Sequence, residues 1–374
     1  MEVSNEIFYI YFPGVENIRN LMSTINITNY PLKNTTFGNT AGVISPNLDT
    51  LYVVANIDCN DTKIDLYLPN FGDRYFIAQF VDLWCNNFYY IINNNRYNHY
   101  IIEYNQDKKS ENNLIYSPSP FFLLIIRVYA NYYSEEDIKL AANLVEQIQI
   151  NGKLGLSPFP KTEVNPKNTP IDVKYFIDRA LLINKYQEKY DNFLNKISKI
   201  NPNLLYSGFS QAQASILTAL NTVVIGWQPF SASVNSFFKF ALVQWQGLYA
   251  NNENANVLYY FNKFDIFSNQ YNGNNKYKLI FKNGQLPPVD GFWSITFYNN
   301  AGFLVENIYN RYNVGTASEP IPDSNNDIIL YLQNEIYEPI NNWLPLPKED
   351  GYFLLRAYGL LDLNYVPPKI ITRI

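Results

Sequence analysis

The sequence predicts a mainly β protein with a helical middle, the first part an antiparallel β-sandwich. Three observations carry this. Aromatic residues make up 17% of the 374 positions, with 32 Tyr and 25 Phe against 5 Trp, and Tyr, Phe and β-branched residues favour pleated, half-buried surfaces. Short runs of alternating or continuously apolar residues recur between Asn, Asp, Gly and Pro turns. These runs come as a block, give way to segments of helical periodicity, and then return. Separate blocks do not make the alternating βαβ units of a doubly wound parallel sheet.

After an irregular start, the first block holds strand-like runs at Thr50 to Ile57, Lys63 to Leu68, Arg74 to Asp82 and Asn87 to Ile92. A further run, Phe121 to Tyr129, carries Arg127 in its middle and closes a first domain over residues 1–132. At Ser134 the character changes. Ser134 before Glu135, Glu136 and Asp137 is an N-cap with acids in the first turn, and Ile138, Ala141, Val145 and Ile148 follow at helical spacing. A Pro-rich connector from Pro158 to Pro170 leads to a long amphipathic helix marked by Val173, Phe176, Ala180, Ile183, Tyr190, Leu194 and Ile197. Gln211 to Ile225 and Val234 to Tyr249 read as two more helices, which makes 133–250 a helical unit.

From Val257 strands return, giving a third domain over 251–374. Its clearest element is Phe292 to Tyr298, where Trp293, Ile295 and Phe297 alternate with Ser294, Thr296 and Tyr298. Pro287 and Pro288 precede it, where a missing N–H costs no ladder bond. Asn299 to Gly302 then forms a turn, and Phe303 to Val305 is expected to return as the second strand of a hairpin.

Composition excludes several classes of function. A net charge of −5 gives no electrostatic footprint for a phosphate backbone, so no nucleic acid is expected as partner. Cys59, Cys85 and the single His99 offer no metal-ligand spacing. No glycine-rich phosphate cradle follows a strand, so no cofactor is expected. The two cysteines either pair across neighbouring strands or stay as buried thiols, and the three sequons at Asn26, Asn34 and Asn60 are what an Asn-rich chain produces by chance. No basic, apolar export signal opens the sequence, and no apolar run approaches the roughly 20 residues of a membrane span. A soluble protein, cytoplasmic or virion-associated, is the expectation.

Carboxylates are the remaining chemistry. Asp49, Asp82 and Glu306 stand at strand ends or turns, where acid pairs can be built or where they simply cap backbone N–H groups. Around Ser45 to Tyr52, the residues Asn47, Asp49, Tyr52, Arg74 and Asp82 read in two ways. Either an Asx-type turn orients the strand while Arg74 pairs with Asp49 or Asp82, or the five converge on a polar pocket. Trp293, Thr296, Tyr298 and Arg311 raise the same question in the last domain. They define the fold, or the rings present an edge that stacks on sugars.

The strings SPNLDTLYVVANIDCN, LYLPNFGDRYFIAQFVDLWCNNF and SPSPFFLLIIRVY resemble the N-terminal module called domain of unknown function 1254. NNKYKLIFKNGQLPPVDGFWSITFYNNAGFLVENIYNRYNVG, with NNWLPLPKEDGYFLLRAYG and YVPPKI, is similar to its C-terminal companion, domain of unknown function 1214. The resemblance implies an N-terminal β-sandwich, a small helical bundle and a C-terminal jelly-roll-like domain, in proteins that self-associate. Such proteins come mainly from bacteria, commonly with export signals, and carry no firmly attached reaction. The present sequence departs from them in its start and in SNNDIILYLQ near Ser324, where relatives often have an Asp-Gly-Ser turn.

The functional expectation is a non-catalytic protein that self-assembles or binds, a surface or virion component, because Tyr and Asn supply adaptable contact surface. The Asn, Tyr and Ile bias suits an AT-rich source, a large DNA virus included. The alternatives are a hydrolase of a carbohydrate or small ester, using Asp49 and Asp82 with Arg74 as clamp, and a carbohydrate-binding module using Trp293 and Tyr298. A homo-oligomer with a carbohydrate or small-molecule ligand is the expected partnership.

Overall fold

The computed structural model describes residues 2–24, 32–34, 44–93, 96–155, 158–160, 164–188, 197, 199–229, 236–246 and 256–373. It is mainly β, with four sheets arranged as two sandwiches and a cluster of helices packed against the first.

The N-terminal sandwich pairs a five-stranded with a four-stranded sheet. The first has the order β1 (Leu32–Asn34), β2 (Thr50–Asp58), β8 (Phe121–Tyr129), β4 (Phe76–Val81), β5 (Asn87–Ile92). The second runs β7 (Leu114–Ser117), β6 (His99–Tyr104), β3 (Ile64–Tyr67), β9 (Gln149–Asn151). Period-2 alternation turns Leu51, Val53, Ala55 and Ile57 of β2 toward Ile64 and Leu66 of β3, and these form one core. The four strands expected before Asn93 are all present, as is Phe121–Tyr129.

Ser134 caps α2 (Glu135–Gln147), its side chain accepting from the Asp137 N–H. This helix does not join the helical unit expected from residue 133 onward. Its stripe of Ala141 and Val145, with Ile148 and Ile150 after it, buries into the N-terminal sandwich, because β9 directly follows and pairs with β3.

The helical unit instead recruits the N-terminus. Residues 2–24 form helix α1 (Glu2–Thr24), where an irregular start was expected. Ile7, Phe8, Tyr11, Phe12, Val15 and Ile18 recur on one face and pack against α3 (Val173–Tyr186), α4 (Pro202–Asn221) and α5 (Phe237–Trp245). Tertiary burial overrides both Pro13 and the β-favouring aromatics here. Gly208 of α4 lets α1 approach closely, since a Cβ there would lie 2.2 Å from that of Ser4. The third helix ends at a Gln187 cap rather than reaching Ile197; Tyr190 and Leu194 of the expected stripe, like Val234, Leu248 and Tyr249, lie outside the described residues.

The C-terminal sandwich repeats the plan. One sheet is β10 (Gln228–Pro229), β11 (Val257–Asn262), β17 (Gly351–Leu360), β13 (Val289–Asn299), β14 (Asn313–Gly315); the other is β16 (Trp343–Pro345), β15 (Ile328–Gln333), β12 (Lys276–Phe281), β18 (Ile370–Arg373). Trp293, Ile295 and Phe297 point into the core between them. The Asn299–Gly302 turn forms, with Gly302 at φ +85°. Phe303 to Val305 does not return as a strand. Asn299 N–H reaches the Phe303 carbonyl and the Phe303 N–H turns to the Asn299 side chain, the chain peels away, and β14 supplies the partner of β13 instead.

Candidate polar seam between the sandwiches

Each sandwich has one sheet whose outer face meets the other sandwich. Ile77, Tyr90, Ile92 and Tyr129 of the first face pack with Val257, Tyr259, Phe292 and Tyr358 of the second. Phe292 stacks between Tyr129, at 4.8 Å, and Tyr358, at 4.5 Å. Beside this aromatic contact the same two faces carry polar groups, because positions that alternate away from each core must meet one another here.

Asp49 is the centre of the seam. It is 1% exposed, and its two oxygens accept from Ser294 Oγ at 2.5 Å and Asn313 Nδ2 at 2.8 Å. Burial raises its pKa above the ordinary carboxylate range, opposed by Ser294, the Arg356 charge and Asn313. Around it, Asn47 accepts from the Asp49 N–H and donates to Tyr358 Oη, at 2.8 and 3.2 Å. Tyr298 donates to the Pro46 carbonyl at 2.6 Å. Arg356 donates to the Ser45 carbonyl at 2.7 Å and to Thr296 Oγ1 at 3.4 Å. The loop Ser45–Asp49 is thus clasped by β13, β14 and β17.

Of the nine candidate residues, Asn47, Asp49, Thr296 and Tyr298 meet in this seam. Tyr52 lies alongside, its ring 5.5 Å from the Arg127 guanidinium. Arg74 does not pair with Asp49 or Asp82; it forms a two-pronged bridge to Asp137 at 2.6 and 2.9 Å, holding α2 to the sandwich. Asp82 stands elsewhere, its carboxylate taken up by the Asn86 N–H and amide and by Gln187 Nε2 at 2.7 Å. The two carboxylates therefore share no site. Trp293 is 5% exposed inside the C-terminal core and Tyr298 is fully buried, so neither ring presents an edge to a sugar. Arg311 donates to the carbonyls of Trp343 and Asn341 and lies 4.9 Å from the Tyr133 ring. His99 stacks on Tyr67 and meets Asp65 at 2.7 Å on the outer sheet. Both cysteines are buried, unbridged thiols. Among the described residues, no group of three or more His, Cys, Asp or Glu is placed to hold a metal ion, and no helix is long and apolar enough to cross a membrane.

Two seam residues were not among the candidates. Arg127 of β8 is 9% exposed and donates to Gln79 Oε1 at 2.5 Å, and Arg356 of β17 is 3% exposed. An arginine inside an otherwise apolar strand, LLIIRVY or FLLRAYG, was the available signal. Tyr259 and Tyr358 touch oxygen to oxygen at 2.6 Å, and both lie within electrostatic range of the two guanidiniums. The arginines' cross-strand neighbours Tyr52 and Tyr259 are half-buried, Tyr52 packing with Val54 against the helical core and Tyr259 with Phe261 against Val243 of α5.

Residues 27–152 match the family described as protein of unknown function (DUF1254), and residues 256–360 match protein of unknown function (DUF1214). The chain carries both modules of this two-part family. Asp49 and Arg127 belong to the DUF1254 module, Ser294, Asn313 and Arg356 to the DUF1214 module, so the seam is the joint between the modules. Among solved structures, the VPA0106 protein from Vibrio parahaemolyticus is similar in fold, at 19% identity and a TM-score of 0.72, over 100% of this chain and 99% of that one. An uncharacterised protein from Burkholderia cenocepacia aligns at 11% identity and a TM-score of 0.51, over 98% of this chain and 87% of that one. A search of curated proteins gives no match.

Proposed function

We propose that this two-module protein is a non-catalytic binding protein that takes a small ligand beside the joint between its sandwiches. The observation that supports this most is Arg127, buried at the joint beside the half-buried Tyr52, with an Nε that has no hydrogen-bond partner among the described residues. Ligand sites carry a few fixed polar groups among apolar side chains. The carboxylates Asp49 and Asp82 are each committed to holding protein groups in place. Saturation-transfer NMR of the full chain against a library of small polar aromatic compounds tests the reading. Hits that vanish in Arg127→Gln support it; hits that persist there, or no hits, overturn it.

A second reading is self-association through the C-terminal sandwich, the behaviour a surface or particle component requires. Leu361, Leu363, Val366 and Ile371 are exposed at 69, 55, 70 and 49%, and β18 is an edge strand. An edge can pair with its own copy about a two-fold axis. Light scattering that gives a dimer or larger species, reduced by Val366→Lys, supports this reading; a concentration-independent monomer contradicts it.

A further inference from the structure

The pair Asn-Gly occurs three times in the sequence, at Asn151–Gly152, Asn272–Gly273 and Asn283–Gly284. In this pair the backbone nitrogen can close on the preceding side chain, because glycine puts no Cβ beside it and accepts either sign of φ. The fold treats the three pairs differently. Asn272 is pinned at both ends of its amide, Nδ2 donating to Asp350 Oδ1 at 2.7 Å and Oδ1 accepting from the Asn274 N–H at 3.1 Å. The nitrogen after it is held too: the Gly273 N–H donates to the Pro347 carbonyl at 2.7 Å, and a Cβ on Gly273 would lie 2.4 Å from the Leu346 oxygen. Asn151 closes β9 opposite Asp65 of β3, and Gly152 is wedged against that strand, where a Cβ would meet Ile64 Cδ1 at 2.5 Å and the Lys63 oxygen at 3.0 Å.

Asn283 has neither restraint. It stands with Gly284 at the exposed tip of a turn closed by the Gln285 N–H on the Lys282 carbonyl at 2.8 Å, with Gly284 at φ +79° and open space where its Cβ would be. Among the described residues, the Asn283 side-chain amide and the Gly284 N–H make no hydrogen bond. The turn is anchored before that peptide, by the Asn283 N–H and Lys282 Nζ on the two oxygens of Asp327 at 3.0 and 2.7 Å. A glycine at the third position of a turn lets the central peptide flip while its flanks stay fixed. We propose that Asn283 is a self-modification site, converted to aspartate and isoaspartate with Gly284 as internal nucleophile and water as co-reactant. The Gly284 nitrogen gives its proton to solvent base and attacks Asn283 Cγ; the N–Cγ bond forms, the Cγ–Nδ2 bond breaks, and ammonia leaves with a proton taken from water. Water then opens the cyclic imide at either carbonyl. The product puts a second carboxylate on the turn that Asp327 holds, and the isoaspartate form adds a methylene to the main chain between β12 and β13, where the Gln285 carbonyl receives Tyr365 Oη at 3.1 Å.

Incubation of the full chain in mildly alkaline buffer, followed by peptide mass mapping over time with fragmentation that tells aspartate from isoaspartate, tests the assignment. Asn283 should convert roughly tenfold or more faster than Asn272 and Asn151, since those two must first give up hydrogen bonds or strand pairing. Both product forms should appear at position 283, as opening of a cyclic imide requires. In urea, where the fold no longer restrains any of them, the three pairs should convert at similar rates. If Asn272 or Asn151 keeps pace with Asn283 in the folded chain, or Asn283 stays an amide there while converting in urea, the proposal is overturned. A preference for Asn283 that persists undiminished in urea also overturns it, because the neighbouring sequence and not the fold would then set the rate.

Discussion

Asp49 and Ser294 stand 245 positions apart in the chain, one in each module, and are joined by a 2.5 Å hydrogen bond between two buried side chains. The loop Ser45–Asp49 of the N-terminal module is used to fasten the C-terminal one. Its residues are accounted for by this joint: Ser45 meets Tyr352 and Arg356, Pro46 meets Tyr298, Asn47 meets Tyr358 and Asp49 meets Ser294 and Asn313.

Removing Asp49 leaves the Ser294 hydroxyl and the Asn313 amide buried without their acceptor. Asp49→Ala is expected to lower stability by about 3–5 kcal/mol, as broken buried polar pairs do. Asp49→Asn keeps one acceptor oxygen and should cost less. Urea denaturation followed by circular dichroism measures both.

The pH dependence separates Asp49 from Asp137. Burial raises the folded-state pKa of Asp49, so its contribution is fully present below the unfolded value of about 3.9 and is lost as pH rises through the folded value. Asp137 has the opposite sign. Burial pushes it up, but the Arg74 bonds, the Asn131 N–H and the Arg74 charge hold it below the ordinary value, so its contribution is present above about 3.9 and is lost as pH falls through the folded value. Asp137→Asn should therefore flatten the loss of stability on acidification, and Asp49→Asn should lose less ground to the parent as pH rises. Chemical denaturation across the acid range reads both slopes.

Cys59 is pushed up to about 12 by burial and the neighbouring Asp58 charge, with its sulfur facing the Ser119 and Pro120 carbonyls. Cys85 is buried against Gln244. Neither thiol is a competent nucleophile in the folded chain. A thiol reagent at neutral pH should label neither cysteine in the native protein and both in urea.

Gln187 ties the helical unit to the first sandwich. Its amide donates to Asp82 at 2.7 Å and accepts from the Leu83 N–H at 3.1 Å, while its carbonyl takes the Trp84 indole N–H. Gln187→Ala strips two buried groups of their partners and should cost roughly 2–4 kcal/mol. Tryptophan fluorescence should report the loosening around Trp84 before global unfolding.

Much of this fold was legible in the sequence, and the exceptions have causes. Thr50–Asp58, Asn87–Ile92 and Phe121–Tyr129 announce themselves by alternation or continuous apolarity, and Ser134 by its cap and three following acids. Helix α1 was hidden because its aromatic, β-favouring composition and Pro13 outweighed the helical recurrence of Ile7, Tyr11, Val15 and Ile18, a face that only the other helices make sense of. The polar cluster at Asn47 and Asp49 was visible as such, but its partners were not. Local patterns carry no trace of a contact made 245 residues later, and Arg74 turned to Asp137 rather than to the nearer-seeming Asp82. Arg127 and Arg356 were the readable clues left unused, since a lone cation amid apolar strand residues needs a counterpart somewhere in the fold.

A double-mutant cycle on Asp49→Ala and Ser294→Ala, read by urea unfolding, tests most directly that these motif residues join the modules. A buried joint predicts a coupling energy of about 1–3 kcal/mol within one cooperative transition, whereas single effects that add to within about 0.5 kcal/mol would contradict it.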